Sequence, residues 1–77
     1  MKSFVIHALW DAEAGVWVGS SDVIPVVSEA ATLDTLIARL RLIAPEMIAE
    51  NGLAAPGETV TLEVVAERSE AVALPDG

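Results

Sequence analysis

This chain of 77 residues has no cysteine, no tyrosine, one histidine and only four basic residues. Without thiols there are no disulfide staples, thiolate metal sites or sulfur nucleophiles, and the composition fits a reducing compartment. A single histidine, His7, cannot build a multi-histidine metal site, and nothing supports a His-based catalytic triad. No apolar run approaches the ~20 residues of a membrane span. The start, Met1-Lys2-Ser3-Phe4-Val5-Ile6-His7, is broken by His7 and followed by Trp10-Asp11, so it makes a poor secretory leader and a cytoplasmic setting is expected. Gly15 and Gly19 stand alone, and no Gly-rich phosphate loop follows a strand. No cofactor is expected.

Basic charge is scarce and acidic charge is plentiful. Four Lys and Arg against twelve Asp and Glu leave a net charge of -8. Such a field repels phosphate backbones, which makes direct nucleic-acid binding unexpected, and it draws a basic protein in faster. It also keeps a chain of 53% hydrophobic residues dispersed. A domain this small buries only about 60–65% of its unfolded surface, so its stability is marginal and a second subunit would help. A homodimer is therefore expected.

The periodicity predicts the order strand, strand, strand, helix, strand in one domain over residues 1–69, with a short tail over 70–77 that frays at Pro75-Asp76-Gly77. Ser3 to Trp10 alternates, with Phe4, Ile6, Ala8 and Trp10 on one side and Val5, His7 and Leu9 on the other. Asp11 to Gly15 is a polar, Gly-ended connection to Val16-Trp17-Val18-Gly19-Ser20, which predicts a hairpin. Pro25 cannot donate to a ladder and marks the entrance to a short third strand near Val26 to Ala30. Thr32 can cap a helix whose first turn carries Asp34.

Leu33, Leu36, Ile37, Leu40, Ala44, Met47 and Ile48 make one apolar stripe at steps of three and four, and Asn51-Gly52 is a good stop. Pro45 predicts a kink or break near Leu42 to Ala44, with a second short helix beginning there. Thr59 to Glu67 is the last strand, with Val60, Leu62 and Val64 on one face and Thr61, Glu63 and Glu67 on the other. The expected architecture is α+β, an antiparallel sheet with one principal helix packed on one face. Ile6, Leu36, Ile37, Leu40, Leu62 and Val64 are the expected core.

Candidate chemistry is sparse. Mid-strand between Val5 and Leu9, His7 reads as a packing or interface residue rather than a base or ligand. Asp11, Glu13 and Asp22 could converge at one end of the hairpin on a divalent cation, but their spacing matches no dedicated calcium loop and turn carboxylates are ordinary. No metal site and no enzyme activity are expected. If Val16 and Val18 face the helix, Trp17 joins Val5, His7 and Leu9 on the opposite sheet face, where a Trp-centred apolar patch points to an interface. With Glu63 and Glu67 on the outward side of the last strand, Val5, His7, Leu9, Trp17, Glu63 and Glu67 form the candidate interface.

Trp10-Asp11-Ala12-Glu13-Ala14-Gly15-Val16-Trp17-Val18, Ser21-Asp22-Val23-Ile24-Pro25-Val26-Val27-Ser28-Glu29-Ala30 and Thr32-Leu33-Asp34-Thr35-Leu36 together resemble the N-terminal domain of HicB-type antitoxins. A related branch consists of small stand-alone domains of unknown function. The resemblance covers about residues 3 to 67. It implies a β-β-β-α-β fold, a reduced ribonuclease-H-like or double-stranded-RNA-binding-domain-like layout that lacks the nuclease carboxylates. It also implies an antitoxin-like module that neutralises a small basic RNA-cleaving toxin. The chain departs from the family in carrying Pro25-Val26-Val27 where Pro-Gly-Leu or Pro-Gly-Cys is common. The stretch after the last strand is expected to be too short for a helix-turn-helix or ribbon-helix-helix module, so operator binding is not carried over. Besides the antitoxin-like module stands an orphan structural or regulatory homodimer without a toxin. A residual metal-dependent nuclease would need clustered carboxylates.

Overall fold

A computed structural model describes residues 2–76. Five elements follow in the expected order: β1 Ser3–Asp11, β2 Val16–Ser20, β3 Val27–Ala30, α1 Leu33–Glu50 and β4 Thr61–Glu67. The strands form a four-stranded sheet in the order β3-β2-β1-β4, with α1 across one face, an α+β architecture.

The sheet departs from expectation in one respect, because it is mixed. β2 is antiparallel to both β1 and β3, but β4 runs parallel to β1. The reason lies in the connection, since a hairpin forces antiparallel neighbours whereas a helical crossover can return the chain parallel. Here α1 carries the chain from β3 at one edge to β4 at the other.

Local chemistry sets each boundary. The Asp11 carboxylate accepts from the N–H groups of Glu13 and Ala14 at 3.1 and 3.2 Å. Gly15, at φ +67°, closes the turn by donating its N–H to the Asp11 carbonyl at 2.8 Å. After β2, Ser21 Oγ accepts from the N–H groups of Val23 and Ile24, and the Val26 N–H reaches back over Pro25 to the Ile24 carbonyl at 2.7 Å. This tight bend drives Ile24 and Val26 into the core. Thr32 caps α1 by accepting from the Thr35 N–H at 3.2 Å. At the other end Gly52, at φ +63°, donates to Ala49 and Leu53 donates to Ile48, which closes the helix in a Schellman arrangement.

Pro45 does not break the helix. The chain is helical from Leu33 to Glu50, and no second helix begins at Pro45. Proline removes one hydrogen bond, but buried anchors hold both halves to the sheet: Leu36, Leu40 and Ala44 before it and Ile48 after it. These four recur every fourth residue, and Leu36, Leu40 and Ile48 cluster with Phe4, Ile6, Ala8, Ile24, Val26 and Ala30. Of the expected core, Ile6, Leu36 and Leu40 are fully buried, whereas Ile37, Leu62 and Val64 are only half-buried. They line a groove of about 340 Å³ between α1 and β4.

Candidate interaction surfaces

The register determines which side chains share the face opposite the helix. Across β3, β2, β1 and β4, one row reads Val27, Ser20, His7, Val65 and the next reads Glu29, Val18, Leu9, Glu67. Val5 lies beside Glu63, and Val16 beside Asp11. The centre of this face is thus aliphatic, and glutamates stand at both ends of its Val18–Leu9 row. Leu9 is 54% and Val27 75% exposed, and none of the described elements covers them. Val5, His7, Leu9, Glu63 and Glu67 therefore share one surface, as the period-two pattern predicts.

Trp17 is not on it. The register pairs Trp17 with Trp10 and with buried Ala30, which places it on the helix side, packed against the core. On β2 it is Gly19, not Val16 and Val18, that faces α1. A Cβ at Gly19 would stand 3.1 Å from a Leu36 methyl and 3.4 Å from Leu40, so the helix approaches there because a side chain is missing. Trp10 and Trp17 meet edge to face with centroids 5.6 Å apart, and the Arg68 guanidinium lies 4.1 Å from the Trp10 ring centroid. Val18 and Val16 take the place on the outer face that the sequence reading assigned to Trp17.

His7 is exposed mid-face between Ser20 and Val65. Asp11 is engaged in its turn, and among the described residues no three His, Asp or Glu side chains are grouped to hold a metal. Nor, among those residues, is any helix long and apolar enough to cross a membrane. What the arrangement offers is a carboxylate-edged apolar sheet face and, on the helix side, an apolar groove.

A family model described as a domain of unknown function (DUF1902) matches residues 3–74. The chain belongs to that family. Its fold is similar to the crystal structure of hypothetical protein TTHA1013 from the extremely thermophilic bacterium Thermus thermophilus, at 43% sequence identity and a TM-score of 0.78. That alignment covers 92% of this chain and 100% of the Thermus one. No curated protein matches.

Proposed function

We propose that this DUF1902 chain is a protein-binding module whose ligand is a small basic protein held on the outer sheet face. The observation that carries this reading is the row Glu29, Val18, Leu9, Glu67, an uncovered aliphatic centre between carboxylates. Apolar surface supplies affinity, whereas the carboxylates steer the encounter and select lysine- and arginine-rich partners. The net charge of -8 acts in the same sense. Half of it lies beyond Asn51, where Glu58, Glu63, Glu67, Glu70 and Asp76 face only Arg68.

The finer reading is antitoxin-like, with the module covering the active surface of a basic RNA-cleaving toxin. It rests on the resemblance to HicB-type N-terminal domains and on the charge complementarity such a toxin would meet here. Co-expression with the product of an adjacent gene for a small basic protein tests it. The expected result is co-purification that weakens as salt rises, because exposed charges are screened beyond ~8 Å at physiological ionic strength, together with rescue of growth from that protein. An adjacent basic protein that neither co-purifies at low salt nor is neutralised would sink the antitoxin reading, as would a salt-sensitive gel shift of RNA by this chain alone. The absence of any such neighbour would favour the orphan homodimer.

A further inference from the structure

We propose that two copies of this chain exchange residues 68–76, each adding its extended segment to the free edge of the other's β4 and filling the other's groove beneath α1. This inference does not rest on the toxin-directed reading, since it uses the opposite side of the sheet.

The segment has no place in its own fold. Beyond Glu67 the described residues have no regular structure, and the molecule measures 61 Å in its longest dimension against 22 and 18 Å. Its radius of gyration is 15.6 Å, where a compact chain of this length has about 11.5 Å. Val72 and Leu74 are 79% and 83% exposed. The family match nonetheless runs to residue 74, so this apolar segment belongs to the family domain.

The receptor for it is equally unfilled. β4 is an edge strand, paired to β1 alone, and its free edge can accept another strand. Beside it lies the groove of about 340 Å³, lined by Ile37, Leu40 and Ile48 of the helix and by Val60, Leu62 and Val64. Arg41 stands on its wall without an ion-pair partner among the described residues.

The segment's own groove is the harder one to reach. Val60 to Val64 lie behind the point where the chain leaves β4, so filling the groove in cis requires a reversal at Arg68 to Ala71, a stretch without Gly or Pro. The exit is also held forward, because Arg68 sits on Trp10 and pairs with Glu70 at 2.5 Å. A second copy needs no reversal.

Register supports the exchange. In β4 the even-numbered residues Leu62 and Val64 face the helix. A two-fold axis at Arg68 pairs Leu74 of one copy with Leu62 of the other, and Val72 with Val64, which keeps all four on the helix side. On the outer side Ala73 comes opposite Glu63, and Ser69 opposite Glu67. No carboxylate meets a carboxylate. At the axis the two Arg68 side chains are each held on their own Trp10 and balanced by Glu70.

Light scattering on the intact chain at micromolar concentration should report twice the 8.0 kDa chain mass. Val72→Asp with Leu74→Asp should return a single-chain mass that keeps the helical circular dichroism signal and loses only strand signal, because both positions are exposed within one copy. Leu9→Asp on the outer face should leave the dimer intact. A monomeric native chain, a dimer that survives the tail substitutions, or a dimer lost only with Leu9→Asp would each overturn the proposal. The native chain has no cysteine, so oxidising a mixture of Val64→Cys and Val72→Cys chains gives a clean second readout. Exchange predicts a disulfide-linked pair of chains. If a chain carrying both substitutions forms only an internal disulfide, the segment folds back in cis and the exchange is wrong.

Discussion

The helix packs closely against one half of the sheet and stands away from the other. Over β2 and β3, Gly19 brings a Leu36 methyl to within 3.1 Å of where a Cβ would be, Ile24 and Val26 plug the rim, and Arg39 donates to the Glu29 carbonyl. Over β4 the facing residues are Leu62 and Val64, with Val60 just before the strand, all larger than glycine or alanine and only half-buried, with a groove between them and α1. The difference is one of side-chain volume. Gly19 and Ala30 leave the helix room to descend over β2 and β3, whereas Leu62 and Val64 face it on β4. The closed half holds most of the fully buried side chains, and the open half leaves apolar surface in the groove.

The largest effect that can break this comparison is loss of a shared anchor. Leu40 is 1% exposed and reaches both the Gly19 side and the groove. Leu40→Ala should cost ~2–5 kcal/mol, as buried leucine truncations do, with chemical denaturation as the readout. A loss below about 1 kcal/mol would mean that the site collapses freely, and the closed half would not be rigid.

Next in size is a paired test of the two halves by adding volume. Gly19→Val drives methyls into Leu36 and should cost ~1–3 kcal/mol, the range for overpacking. Val64→Ile adds one methylene beside the groove and should be neutral or stabilising by up to ~0.8 kcal/mol, the value of one buried CH2. Equal losses at the two positions would show that the halves are packed alike.

Pro45 offers a sharper probe of the open half, whose groove it lines. Pro45→Ala restores an N–H donor in mid-helix and should raise stability by about 1–3 kcal/mol, within the span separating proline from alanine in helix interiors. A decrease in the denaturation midpoint would show that ring contacts in the groove outweigh the missing hydrogen bond.

Much of the fold is legible in the sequence, though the contrast between its two halves is not, and the parts that are not have physical causes. The α1 stripe, its Thr32 cap, the Gly52 stop and the placement of Val5, His7, Leu9, Glu63 and Glu67 all follow from period and capping chemistry. Trp17 was misplaced because β2 is flanked by valines on both sides of a tryptophan. Its apolar pattern does not name a face, and only the pairing of Gly19 with Ala8 does. Ile24 and Val26 were missed as core because they lie in a bend, where no period exists to count. The continuity of α1 through Pro45 depended on tertiary anchors, which local propensity does not contain. The parallel β1–β4 pairing is likewise a property of the crossover and not of either strand's own residues.

The smallest effect on stability belongs to the outer face, and there the informative quantity is binding. Leu9 is 54% exposed and Glu67 stands beside it at the β4 edge, so neither contributes much to the single-chain core. Leu9→Ser and Glu67→Lys should each shift stability by no more than about 0.5 kcal/mol, as surface substitutions do. Against a basic partner they should act differently. Leu9→Ser removes apolar contact and should speed dissociation at all salt concentrations, whereas Glu67→Lys reverses a steering charge and should slow association most at low salt. Surface plasmon resonance across a salt series separates the two. If both substitutions left the rates unchanged while the partner still bound, the partner would sit elsewhere on the molecule. The groove half and its exposed segment would then be the surface left to explain the capture.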